Sequence, residues 1–418
     1  MGKKVLQSVL CNDVISDIVI DGNRFTKIIP SVQRKQYDNA EMIDCSGLAI
    51  LPAFYNAHTH AAMMLMRGYA DDTPLFEWLN DYIWPLEAKL TAKDIEIGSR
   101  LAVLEMIKSG TVFFSDMYWH REETMKVVEE MGIRAAIGVT ISDVLTSPKG
   151  LEENFSFLKQ HKGESERVKL VVMPHAIYTN SDDCFRRCIT IAKEEGYVLH
   201  THLSETSKEV NDCLLQYKCT PVELMEKWGA LASNFVAAHC VHFTEKDKKI
   251  FSQSGATAVV NPCSNLKLGS GIPNIVSLLK NNIMVALGTD GASSNNNLDM
   301  REEMKMAGLL TKANDTNVIV SKKDILKLAT ENGAKAYGLQ HVGRIEEGWL
   351  ADCILIRMDN ERMVPCHDIV SNWIYGADSR AIDSVMCNGT FVMRNGHVDG
   401  EDDIVAEAVA CVKQLLKK

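Results

Sequence analysis

The 418-residue sequence predicts an α/β fold, a (β/α)8 TIM-type barrel with a small flanking β-sandwich domain built from both chain ends. Three observations predict it. From about residue 51 to 345, short apolar runs alternate with longer amphipathic segments, the order of repeated βα units. Polar residues gather at the C-terminal ends of those runs, where the reactive groups of such barrels stand. Both chain ends instead carry β-type runs punctuated by Gly and Pro.

Residues 1–50 hold the runs DVISDIVIDGNRFTKIIP and GLAILPAF, and form the N-terminal part of the small β domain. Residues 51–345 form the barrel. Its eight strands are predicted in LAILPAFYNAHTH, TVFFSDMY, RAAIGVTISD, KLVVMPHA, YVLHTHLSE, FVAAHCV, ATAVVNP and MVALGTD. Between them, KDIEIGSRLAVLEMIKSG, EETMKVVEEMG and DDCFRRCITIAKEEG carry the 3.6-residue pattern of helices packed on a barrel. Residues 346–418 return to β character in GRIEEGWLADCILIRM and SVMCNGTFVMRNGHV, then end in a helical tail, EDDIVAEAVACVKQLLKK.

Composition narrows the function classes. Lys plus Arg is 45 and Asp plus Glu is 55, a net of −10, which argues against a nucleic-acid or anionic-membrane partner and leaves small molecules. No run approaches the 18 to 20 apolar residues of a membrane span, and the N-terminus meets Asp13 before a signal-peptide core forms, so a cytoplasmic protein is expected. Twelve Cys are scattered without a CxxC pair, as suits reduced, packed thiols. Barrels of this size often self-associate, so a homo-oligomer is expected among its partners.

His58 and His60 lie in NAHTH at the end of the first barrel strand, where a period of two turns both imidazoles to one face. Other strand ends offer His202 in HTHLSE with Glu205 three residues on, His239 in AAHCVH, and Asp290 in ALGTDGASSN. Histidines and a carboxylate converging from separate strand ends make a ligand set that Zn2+ accepts, with Fe2+ able to use the same donors. No Walker A string, HExxH or GxSxG elbow occurs, and GSGIP reads as a loop beside the site. Pro262-Cys263 lacks the second cysteine of the zinc nucleobase deaminases.

These residues, with RGYADDTPLFEWLNDYIWPLE, HLSETSKE, NPCSNLKLGSGI and LGTDGASSNNNLDM, resemble the amidohydrolase superfamily, and within it the 5′-methylthioadenosine/S-adenosylhomocysteine deaminases. The resemblance runs over nearly the whole chain. It implies one zinc ion held by His58, His60, His202 and Asp290. The fourth strand ends in MPHAIYTN, with His175 and no lysine to bridge a second metal. The implied reaction is hydrolytic deamination at carbon 6 of an adenosine-type nucleoside. Zinc lowers the pKa of water from about 16 toward 7, Asp290 takes a proton, Glu205 protonates ring nitrogen 1, and His239 orients the nucleophile. Trp78, Glu87, His175 and Ser294 are the implied substrate contacts. Related chemistries on the same scaffold are guanine deamination and triazine hydrolysis, and a non-catalytic scaffold would have lost the ligands that are retained here.

Family members that accept S-adenosylhomocysteine grip its carboxylate with arginines after the third strand, because a guanidinium fork matches a carboxylate. Here that stretch holds only Arg134, with Val139 and Gly150 where arginines are sought and Lys149 as a point charge. The resemblance therefore leans toward 5′-methylthioadenosine, adenosine or 5′-deoxyadenosine.

Overall fold

The computed structural model describes residues 2–33, 37–160, 165–317 and 320–417. Strands β1 (Lys3–Cys11), β2 (Val14–Asp21), β3 (Arg24–Pro30), β4 (Ala40–Asp44) and β5 (Leu48–Pro52) come first. The barrel follows: β6 (Phe54–Thr59), β7 (Thr111–Asp116), β8 (Arg134–Ile141), β9 (Val168–Pro174), β10 (Val198–Leu203), β11 (Phe235–His239), β12 (Thr257–Val260) and β13 (Met284–Leu287). These eight pair in parallel in chain order. Every residue of β6, β7 and β8 is buried, because helices cover one face and the filled barrel interior the other.

Backbone and side-chain hydrogen bonds link the first and last strands of the barrel. Asp290 N donates to His58 O at 3.0 Å, and the Asn56 amide donates to Thr289 Oγ1 at 2.7 Å while accepting from Thr289 N at 3.1 Å. Gly288 permits that approach: a Cβ there would lie 2.5 Å from Asn261 Oδ1 and 2.9 Å from His58 N.

The run LAILPAFYNAHTH, expected as one strand, is two. Pro52 ends β5, and the Ala53 N–H leaves the strand direction for Asp352 O. Residues 48–52 pair antiparallel with β14 (Cys353–Arg357) in the other sheet, whereas β6 begins the barrel. That other sheet is mixed, with order β16-β15-β14-β5-β1-β2-β3 and β4 beside β1, where β15 is Ile382–Cys387 and β16 is Thr390–Met393. It has its own core of Leu6, Val9, Ile18, Phe25, Ile50, Cys353, Leu355 and Met386.

Arg134 opens β8 at the end of the barrel opposite the histidines. It pairs with the fully buried Asp352, to which the Tyr55 hydroxyl also donates, and Asn388 N donates to the other Asp352 oxygen at 2.6 Å. The terminal helix Glu401–Leu415 packs on the barrel helix Ala92–Lys108, with Ala408 and Cys411 against Leu65. Ten of the twelve cysteines are buried, and no disulfide forms among the described residues. No described helix is long and apolar enough to cross a membrane.

Candidate active site

The strand ends that carry polar residues meet in one cleft lined by His60, Trp78, Glu87, His175, His202, Glu205, His239, Asp290 and Ser294. His58 lies just beneath, fully buried, its ring 4.9 Å from those of His60 and His202. All ten residues singled out in the sequence thus come together. Three of the loops bend through left-handed backbone at non-glycine residues: Ser204 at φ 53°, His239 at 76° and Asp290 at 61°. Such strain is held where the surroundings demand a side-chain direction.

Backbone carbonyls set the imidazoles. His60 Nδ1 donates to Met117 O at 2.6 Å and His202 Nδ1 to His175 O at 2.8 Å, so each turns its Nε2 inward. His60 Nε2 and His58 Nε2 lie 3.2 and 3.4 Å from Asp290 Oδ1. Ligand atoms of His58, His60 and Asp290, and of His58, His202 and His239, each fall within 4.8 Å of one another. Both nitrogens of His58 are buried without a hydrogen-bond partner. The orphaned nitrogens of His58, the inward-facing Nε2 atoms of His60 and His202 and one carboxylate oxygen at a common centre fit a divalent cation of zinc's ligand preference.

Electrostatics separate the roles. Burial pushes His58 and His239 down to about 4 and His175 to about 3. Burial acts on His60 as well, but the hydrogen bond and charge of Asp290 outweigh it and carry it to about 9. Asp290 is buried too, yet His58 and His60 hold it well below the usual carboxylate range. Its Oδ2 accepts from Ser264 Oγ at 2.6 Å and Ser294 Oγ at 2.8 Å.

Glu205 has the opposite setting. Burial, then the charge of Asp290, push it up to about 8, so it keeps a proton at neutral pH. Ser270 Oγ donates to its Oε1 at 2.9 Å, and Oε2 faces His239 Nε2 at 3.7 Å. Its backbone is fixed by Glu209, whose carboxylate accepts from Ser204 N and Glu205 N, both at 2.8 Å. The Asn265 and Asn261 amides hold His239 Nδ1 at 2.8 and 3.3 Å. Glu87 is pushed up to about 7 by burial, with Tyr118 and His60 opposing.

An outer arm of the cleft shares Tyr118, Trp119, Thr140 and Leu145 with the main site. Gly150 lines it, Val139 is sealed inside β8, and Lys149 is exposed beside Glu153. The cation that does line the arm is Arg121, from the start of a different helix. Its guanidinium donates to Asn154 Oδ1 at 2.8 Å, pairs with Glu122 at 3.1 Å and stacks 3.9 Å from the Phe157 ring centre. Sequence reasoning missed Arg121 because it searched the segment after the third strand. It also missed Asn261, Ser264, Asn265, Ser270 and Glu209; polar residues inside NPCSNLKLGSGI and HLSETSKE were the available signal.

The amidohydrolase family model matches residues 49–392. The chain is 39% identical over 386 residues to a 5-methylthioadenosine/S-adenosylhomocysteine deaminase of Halothermothrix orenii, covering 91% of this chain and 90% of that one. It is 41% identical over 385 residues to a 5′-deoxyadenosine deaminase of Methanosphaera stadtmanae, covering 90% of each. A zinc-bound adenosine deaminase from Xanthomonas campestris superposes with a TM-score of 0.91 at 29% identity, over 96% of this chain and 94% of that one. The family match, the barrel and the convergent donor set agree, and the chain is an enzyme of the amidohydrolase family.

Proposed function

We propose that this chain hydrolyses the 6-amino group of adenosine-type nucleosides, 5′-methylthioadenosine, adenosine or 5′-deoxyadenosine, to the inosine analogue and ammonia. The relatives named as deaminases of 5-methylthioadenosine, S-adenosylhomocysteine and 5′-deoxyadenosine support the substrate class. The observation that carries the chemistry is the pairing of two buried carboxyls set oppositely. Asp290 is ionised and can take a proton, while Glu205 is protonated and can give one.

His58, His60, His202 and Asp290 would hold one zinc ion. When bound, that ion supplies the Lewis acidity that brings the pKa of water from about 16 toward 7. Asp290 accepts a proton of the attacking water, with Oδ2 already occupied by two serine hydroxyls and Oδ1 turned to the centre. Glu205 gives its proton to ring nitrogen 1, which makes carbon 6 electrophilic. A carbon–oxygen bond forms, the carbon 6–nitrogen bond breaks as the amino group takes the proton held by Asp290, and the remaining hydroxyl proton passes to Glu205 as the carbon 6 carbonyl forms, which restores both carboxyls. One water enters and one ammonia leaves. His239, held through Nδ1 by Asn265, turns Nε2 toward Glu205 and orients the water. Trp78 packs on the base, His175 and Ser294 border it, and Glu87 accepts from ribose hydroxyls.

The 5′ substituent would leave by the outer arm. The arginine there, Arg121, is already engaged by Asn154 and Glu122, so a carboxylate has to compete for it. Neutral substituents are favoured.

Ammonia release by zinc-loaded enzyme, compared across adenosine, 5′-methylthioadenosine, 5′-deoxyadenosine, S-adenosylhomocysteine and guanine, tests the reading. We expect the three neutral adenosines to turn over, and Glu205→Gln to lower kcat by about 10²–10⁴-fold. S-adenosylhomocysteine should be poorer by about tenfold in kcat/KM, the worth of one charge-assisted hydrogen bond. Guanine turnover without adenosine turnover would overturn it.

A further inference from the structure

Glu303 lies outside the cleft, on the helix Met300–Asn314, and is fully buried. Both of its oxygens are used. Oε2 accepts from Cys263 N at 3.1 Å, and Oε1 accepts from Asn295 Nδ2 at 2.6 Å. The residues it holds are each one position from a serine that holds Asp290: Cys263 precedes Ser264, and Asn295 follows Ser294. The Asn295 amide also donates to Thr289 O at 2.7 Å, one residue before Asp290. A single carboxyl therefore ties the short helix Pro262–Lys267 after β12 and the loop after β13 to one longer helix. Those two segments supply every side-chain hydroxyl found on Asp290 Oδ2 among the described residues.

We infer that Glu303 is a positioning residue for Asp290, acting through Ser264 and Ser294 to fix the direction in which Oδ1 faces His58 and His60. A second tie between the two segments is Lys267, whose Nζ donates to Ser293 O at 3.3 Å and Asn296 Oδ1 at 3.0 Å, but it is partly exposed and reaches neither Cys263 nor Asn295, the residues that Glu303 holds. Rotation of Asp290 would turn the hydroxyl-bonded oxygen toward the imidazoles and spoil the donor set. A burial role alone would not explain why the two contacts fall on the neighbours of two residues that share one target atom. The inference rests on the metal reading of that donor set.

Its test is zinc affinity by chelator competition, with kcat and KM measured alongside. Partners lying behind metal ligands are typically worth about 10- to 100-fold in affinity. Glu303→Leu, which removes both acceptors at similar volume, should weaken zinc by that factor. Glu303→Gln, which keeps the length and one acceptor, should fall between it and the parent. KM should stay within about twofold of the parent value, because Glu303 touches no cleft surface. The double variant Ser264→Ala/Ser294→Ala should match Glu303→Leu, and combining all three should weaken zinc no further, since the losses share one route.

Zinc affinity in Glu303→Leu within about twofold of the parent would overturn the inference, as would losses that add. Should Glu303→Leu not melt cooperatively, Asn295→Ala cuts one arm and is judged by the same criterion. A parent that binds no zinc overturns the metal reading itself.

Discussion

Glu205 holds its proton because burial and Asp290 outweigh the one hydrogen bond that favours its ionised form, from Ser270 Oγ. Ser270→Ala should therefore move Glu205 further up. Since the protonated carboxyl does the work, the alkaline limb of kcat/KM should shift to higher pH, by about one unit if the lost bond is typical of those to charged groups. A limb that stays in place or moves down, read from a pH profile in zinc-loaded enzyme, would contradict the assignment of Glu205 as the acid. The proposed ligands and the proposed acid could be picked out in the sequence because metal donors stand at strand ends with short fixed spacings, as in His58 and His60. Ser264, Asn265, Glu209 and Arg121 were not. Residues that orient a ligand through hydrogen bonds obey no periodicity, and Arg121 reaches its place over Phe157 from a neighbouring helix.

At the scale of elements, the eight barrel strands could be read because strands covered on both faces are continuous apolar runs bounded by turn residues. The break after Pro52 could not, since LAILPAF is equally apolar on either side of the point where the chain changes sheets. Nor does local pattern announce that β14 pairs with β5. What joins the sheets there is the Arg134, Tyr55 and Asp352 cluster, buried between the start of β8 and the residue before β14. Arg134→Met should leave Asp352 buried without its cation, with only Tyr55 and Asn388 N as partners, and destabilise by about 3–5 kcal/mol in urea unfolding. Adding Asp352→Leu should recover part of that loss. A single-variant change below about 1 kcal/mol would mean that Asp352 is otherwise satisfied.

For the whole molecule, pH acts through two buried populations. His58, His175 and His239 have folded values of about 3 to 4, below the ordinary 6.5, so the folded state binds fewer protons and stability rises with pH up to about 6.5. Glu87 and Glu209 are raised to about 7, and Glu205 and Glu303 to about 8, all chiefly by burial. These bind more protons folded than unfolded, so their contribution is whole below about 4.5 and is lost as pH rises through 7 and 8. His60, at about 9, acts in the same direction. Above about 6.5 the first population is silent, and the urea midpoint of metal-free protein should fall from pH 6.5 to 8. A rise over that interval would contradict the burial of these carboxyls.

The mixed sheet has a consequence for how the protein is made. β5 pairs with β1 in register at only one position, Leu10 with Ala49, and takes its main ladder partner from β14, as in Leu51 with Ile354. On a ribosome that adds about 5–20 residues per second, the edge of β5 waits roughly 15–60 s, the time needed to translate the barrel, before that partner emerges. An unpaired edge is an aggregation template. The nascent chain is thus most vulnerable while its catalytic half is being synthesised, and the speed of translation across that half governs the yield of soluble enzyme.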